Sequence, residues 1–384
     1  MKRILALFLL LLCAASCFRP EDDPENRQMI LLYAAGNNSL SGDLALDYEA
    51  LKDSWLPADK ETDKILLVYK HTRGQEPQLA RLSRDRNGNT VETVIRTYPA
   101  STGSAVSETL KTVIADAENA WPSARHELIL SSHATGFLPS GYYGNPTDRT
   151  ASQNGIAPLS FGQDSDTKAE MEIYELREAL SAIHYELILF DCCFMGNVET
   201  VYELRNNCDF IVASPTEILA DGFPYGTIIQ PMFSLPAEEA ARTLCRNYMD
   251  YYRNSGTPYA TVSLIRTSEL EGLAAACKAV FDGRQEQILD LDRSDIQPYH
   301  RFRNMYWFYD LDDFIGRIAT DEEYRTFLAA LGRAVPVKDA TDYLIDLRIR
   351  RYSGLSIYIP RRGYTDLNGF YQKLQWNEAT GLVQ

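Results

Sequence analysis

Five short apolar runs constrain this chain more than any other feature: 29–35, 64–69, 127–132, 186–190 and 210–214. A strand with one face in water alternates apolar with polar residues, and these runs do not, so each reads as a strand covered on both faces. Helical periodicity fills the gaps, at 40–51, 104–120, 171–183 and 197–205. Alternating strands and helices of this length predict an α/β fold: a mostly parallel central sheet with helices on both faces. Residues 73–98 carry shorter β-prone pieces and suggest a hairpin or an extension of the sheet edge. Beyond 235 the chain turns helical, at 237–254 and 268–281, with β-prone stretches at 343–347 and 355–360. The expected organisation is a core at 28–235 and a part at 236–384 that completes the sheet or packs on it.

The first residues bear on where such a fold works. Lys2 and Arg3 precede an apolar run from Ile4 to Leu12, then small residues lead to Cys17. The run is too short to span about 30 Å of hydrocarbon, so 1–16 reads as a signal peptide. Small residues before a cysteine also resemble a bacterial lipoprotein box. The expectation is an acylated Cys17, a polar tether at 17–27, and a lipid-anchored protein of the bacterial cell envelope, at the outer membrane or cell surface. Plain secretion is the rival. The formal charge of −15 over 384 residues argues against nucleic acid as a partner and favours basic ones.

Cysteines stand at 13, 17, 192, 193, 208, 245 and 277. They form no CxxC pair and no disulfide framework. Cys192, Cys208, Cys245 and Cys277 read as core thiols. Cys193 and His133 are different, because each directly follows a buried strand. Functional groups of an open sheet gather at the carboxyl ends of its strands, so neighbouring strands would bring the two together across sixty intervening residues. The chemistry would be acyl transfer, with Cys193 as nucleophile and His133 as its proton partner. A helix starting near Asn197 would lower the thiol pKa. The N–H groups of Ala134 and Cys193 would form an oxyanion hole.

The segment Asp191-Cys192-Cys193-Phe194-Met195-Gly196-Asn197, running into Glu199-Thr200-Val201-Tyr202-Glu203-Leu204, resembles the nucleophile segment of the clostripain family of cysteine peptidases. Leu31 to Leu40 resembles that family's first strand and turn, and Tyr309 to Phe314 and Ser353 to Pro360 its later motifs. The resemblance spans 29–360. It implies a caspase-like fold, Cys193 and not Cys192 as nucleophile, and cleavage after a basic residue. It also implies a pocket for that residue lined by Asp191 and Asp221, where a carboxylate pairs with ammonium or guanidinium. The family usually carries glycine after the histidine. Ala134 supplies the same N–H, but costs about 1 kcal/mol if the position needs a positive φ.

The segment 134–168 is long for a connection without structure of its own, which marks a binding loop, a lid or a processing site. It holds Arg149 and Lys168, where a peptidase specific for basic residues would cut itself and convert a zymogen. Asp310, Asp312 and Asp313 raise the question of calcium but lack the spacing of a calcium loop. The expectation is that no cofactor is required, with calcium left open as an optional ligand. Two functions follow: an exported endopeptidase acting on peptides or proteins with exposed Arg or Lys, or an inactive relative that binds basic peptides through the same cleft.

Overall fold

The computed structural model describes residues 23–140, 142, 161–300 and 307–384; the signal peptide, Cys17 and Arg149 lie outside them. The chain runs through strand β1 (Gln28–Gly36), helix α1 (Ser41–Asp53) and strands β2 (Lys64–Thr72), β3 (Gln78–Arg84) and β4 (Thr90–Thr97). Helix α2 (Ser107–Ala120), strand β5 (Arg125–Ser131), helix α3 (Ile173–Ala179) and strand β6 (Tyr185–Asp191) come next. They lead to helix α4 (Val198–Glu203), strand β7 (Cys208–Ala213), helices α5 (Tyr225–Ser234) and α6 (Ala237–Asn254), strand β8 (Thr261–Arg266) and helix α7 (Leu270–Phe281). The short strands β9 (Tyr309–Asp310) and β10 (Val337–Ala340) lie further on.

One nine-stranded sheet has the order β10-β8-β7-β6-β5-β1-β2-β3-β4. Its centre is parallel, through the pairs β2–β1, β1–β5, β5–β6 and β6–β7. Both edges are antiparallel, through β2–β3, β3–β4, β7–β8 and β8–β10. The expectation of a mostly parallel sheet is therefore corrected: the sheet is evenly mixed. An apolar run reports that both faces are covered, not which way the strand points. Direction comes from the connections. Short turns join β2, β3 and β4, which allows only hairpins. Between β7 and β8 the chain passes through two helices, α5 and α6, and returns antiparallel.

Alternation along β1 explains the two cores. Met29, Leu31 and Tyr33 face α2, α3, α4 and α7. Ile30, Leu32 and Ala34 face α1, α5 and α6. All nine residues of β1 are buried, so this strand is the spine of the molecule. Strands β8 and β10, from beyond residue 235, are hydrogen-bonded into the same sheet.

Candidate active site

Parallel pairing of β5 with β6 sets Ser131 opposite Asp191. Two residues further along each strand stand His133 and Cys193, so register alone brings them to one edge of the sheet. Main-chain and side-chain bonds fix the end of β5. Gly162 N–H donates to the His133 carbonyl at 2.9 Å, and Ser132 Oγ donates to the Ala35 carbonyl at 2.7 Å.

The two adjacent cysteines have opposite fates, because successive side chains of a strand leave on opposite faces. Cys192 is buried, and its thiol donates to the Leu130 carbonyl at 3.0 Å. Burial, with Asp191 nearby, pushes its pKa far up and keeps it an inert thiol. Cys193 is partly exposed. Its sulfur accepts the Ile218 N–H at 3.3 Å and faces the Ile218 carbonyl at 3.6 Å. Cys208, Cys245 and Cys277 are buried and free.

His133 is partly exposed, and its Nε2 lies 2.7 Å from Ser39 Oγ. Burial lowers its pKa, while Asp43 on α1 pulls the other way. The neutral ring is thus favoured, as a proton acceptor requires.

The turn that carries the sulfur is strained. Phe194, the residue after Cys193, has φ +62°, a left-handed conformation that costs a non-glycine residue about 1–2 kcal/mol. Its N–H donates to the Thr216 carbonyl at 2.8 Å, and its ring stacks on Phe308 at 4.7 Å. Opposite it, Gly136 has φ +64°, and a Cβ there would run into the Asn197 amide and come within 2.7 Å of the Phe194 carbonyl. Glycine is demanded at 136. Ala134 is buried at a position outside the left-handed residues of the chain.

Asp191, two residues before Cys193, belongs to a group of carboxylates that act on one another, two of which are not evident from the sequence. Asp191 is buried and accepts three hydrogen bonds, from Tyr225 OH at 2.9 Å, Phe223 N–H at 3.1 Å and Ser131 OH at 3.2 Å. Burial raises its pKa to about 6, although all three bonds hold it down. Asp221 is exposed on the loop leading to α5. Asp47 completes the group from α1, one helical turn beyond Asp43. Its Oδ2 is buried with no hydrogen-bond partner among the described residues. Burial, then the charges of Asp191, Asp43 and Asp221, raise its pKa to about 8. Asp47 and Tyr225 share the lining of a cavity of about 460 Å³. The signal for Asp43 and Asp47 was present in their i,i+4 spacing on the helix after β1, but nothing in the sequence pointed that helix at Asp191.

Other residues singled out in the sequence have local tasks. Asp310 caps the helix Leu311–Ile318 through the Asp313 N–H and accepts from Tyr299 OH at 2.5 Å. Asp313 accepts the Gln297 N–H, and Asp312 the Tyr324 OH. Among the described residues no group of three His, Cys, Asp or Glu side chains is placed to hold a metal. Lys168 is exposed in a tight turn with φ +58°, its N–H bonded to the Asp164 carbonyl at 2.9 Å.

No curated protein sequence matches the chain. Solved structures do. One is described as an inactive zymogen C11 protease from Parabacteroides distasonis, 32% identical, with a TM-score of 0.80 over 93% of this chain and 99% of that one. Another is a secreted C11 cysteine protease from Bacteroides thetaiotaomicron, solved in complex with an irreversible peptide inhibitor. It is 29% identical, with a TM-score of 0.78 over 92% of this chain and 99% of that one. A third, from the same organism, shares the fold at 22% identity and a TM-score of 0.77, over 93% of this chain and 99% of that one. The expected lipid-anchored envelope location is corrected by these relatives, since the 29%-identical protein is described as secreted. The model of the clostripain family matches residues 32–343, and with a relative 32% identical over nearly its whole length, the chain belongs to the clostripain family of cysteine peptidases and has its caspase-like fold.

Proposed function

We propose that this chain is a secreted endopeptidase that cleaves after Arg or Lys, with Cys193 as nucleophile and His133 as its proton partner. The observation that supports the reading is the pairing of Ser131 with Asp191, two residues before His133 and Cys193, together with the mutual influence of Asp191, Asp47, Asp43 and Asp221.

The thiol proton passes to the imidazole, and the sulfur attacks the carbonyl carbon of the scissile bond. The N–H groups of Ala134 and Cys193 receive the oxyanion. His133 returns its proton to the leaving amine as the C–N bond breaks, leaving a thioester on Cys193. Water then attacks the thioester, giving one proton to His133, and the acid product leaves as the thiol is restored. The substrate's basic side chain is received by Asp47, Asp191 and Asp221. Asp191 anchors the Gly222–Tyr225 loop and supplies charge, and Asp47 offers an oxygen that has no partner among the described residues. An unpaired carboxylate in a half-buried slot rejects neutral side chains, because binding them leaves it desolvated.

Two features support synthesis in a latent form. The sulfur is held by the main chain of Ile218, and the P. distasonis relative is described as an inactive zymogen. Cutting at Arg149 or Lys168 would release it. The turn at Lys168 must first open, because a scissile bond enters a peptidase extended. Expression of wild type beside Cys193→Ala tests this: fragments in the wild type alone support self-cleavage, and equal fragments in both refute it.

The proposed activity is tested with matched Arg, Lys and neutral fluorogenic peptides on wild type, His133→Ala and Cys193→Ala. Turnover of basic peptides only, lost in both variants, is the expected result. Saturable binding of basic peptides without turnover would replace the enzyme by a binding protein.

A further inference from the structure

The hydroxyl of Ser39 lies 2.7 Å from His133 Nε2. Ser39 is exposed and lies in the turn between β1 and α1. Its neighbours are nevertheless held with unusual care. Asn38 is buried, and its amide donates to the Ala35 carbonyl at 2.9 Å, the Gln163 carbonyl at 3.1 Å and Ser132 Oγ at 3.3 Å. Its Oδ1 accepts the Leu40 N–H at 2.9 Å. Ser165 N–H donates to the Asn37 carbonyl at 2.7 Å. The turn is therefore tied to the residue before His133 and to the 163–165 segment. Pairing of β1 with β5 already runs up to Ala34 opposite Ser131. A buried amide that binds the strand end from both sides leaves the next side chain little choice of position.

The geometry points to Ser39 as the positioning residue of His133, an hydroxyl that occupies Nε2 and leaves Nδ1 as the nitrogen for the Cys193 thiol and the leaving amine. This rests on the dyad proposed above. An imidazole has two nitrogens, and in its neutral form only one carries the proton. With Nε2–H donating to Ser39 Oγ, Nδ1 keeps its lone pair and accepts the thiol proton. The same bond survives in the imidazolium, so it also steadies the charged ring of a thiolate–imidazolium pair. Without the hydroxyl the ring can turn and exchange tautomers, and only a fraction of molecules present a base to the sulfur. The charged group acting on the ring is Asp43 from α1, which a change at 39 leaves in place.

The test uses the full exported chain with Ser39→Ala, Ser39→Gly and Ser39→Thr, beside Cys193→Ala as the control for the dyad. Kinetics on an Arg peptide are measured, together with the pH dependence of inactivation by iodoacetamide, which reports the thiolate. Ser39→Ala and Ser39→Gly are expected to lower kcat about tenfold with KM within about twofold. Their alkylation profile should move up by about half a pH unit or more. Ser39→Thr, which keeps the hydroxyl, should restore both. Wild-type kcat and an unmoved profile in the alanine and glycine variants would overturn the proposal. So would a threonine variant as impaired as alanine. Activity retained in Cys193→Ala would instead overturn the dyad itself.

Discussion

Within eight residues the chain buries two carboxylates, Asp191 at the end of β6 and Glu199 in α4, and the two regions treat them differently. Glu199 accepts the Tyr358 N–H at 2.9 Å and the Tyr371 OH at 2.7 Å. Glu203, one turn on, accepts the Gln375 N–H at 2.8 Å and pairs with Arg177 at 2.7 Å. These acids fasten the last part of the chain to the helix after the nucleophile. Asp191 also has its donors, but its charged neighbours are other carboxylates, Asp47 above all. Buried acids beside donors from distant segments join a fold together. Buried acids beside more acids resist ionisation, and an incoming cation favours their charged form.

If that contrast is right, Asp191→Asn should have the largest effect. Selectivity for Arg over neutral peptides should fall about 100-fold, the equivalent of roughly 3 kcal/mol, with the protein still folded. Unaltered selectivity would remove Asp191 from the pocket. Asp47→Asn should cost basic substrates about tenfold in kcat/KM and leave neutral ones alone. Equal losses on both would make Asp47 a structural residue.

A pH series sharpens the same point. Asp191 ionises near 6 and Asp47 near 8, so each gains its charge as pH rises through that value. KM for basic peptides should therefore fall between pH 5.5 and 8.5 while KM for neutral peptides stays flat. Parallel changes in the two would contradict the assignment.

Glu199→Gln should have the smallest effect on function and a visible one on stability. The folded pKa of Glu199 is raised from 4.5 to about 7 by burial. A raised carboxyl contributes its stability fully below about 4.5, and loses it as pH climbs through 7. The wild type should thus melt lower at pH 8 than at pH 5, with Glu199 alone accounting for as much as roughly 3 kcal/mol. Glutamine keeps the acceptor oxygen without the charge, so the slope should flatten and selectivity should not move. A steeper slope in the variant would refute this reading of α4.

Much of the fold was legible because burial writes itself into strands. The apolar runs at 29–35, 127–132 and 186–190 became β1, β5 and β6 within a few residues, and His133 and Cys193 followed from where two of them end. Strand direction was not legible, because Phe210 to Ala213 looks the same whether its next neighbour β8 runs with it or against it. The carboxylates divide in the same way. Asp191 was found from the motif around Cys193, whereas Asp43 and Asp47 depend on how α1 lies across the sheet, a tertiary fact with no local signature. Ser39 was invisible for the same reason, being an ordinary turn residue until Asn38 is seen to bind the end of β5.

The most direct test of the account is labelling with a peptidyl-Arg or peptidyl-Lys electrophile followed by mapping of the modified cysteine. A single label on Cys193, slowed by His133→Ala and prevented by excess basic peptide, is the result predicted. A label on Cys192, or turnover by protein in which Cys193 stays unmodified, would contradict it.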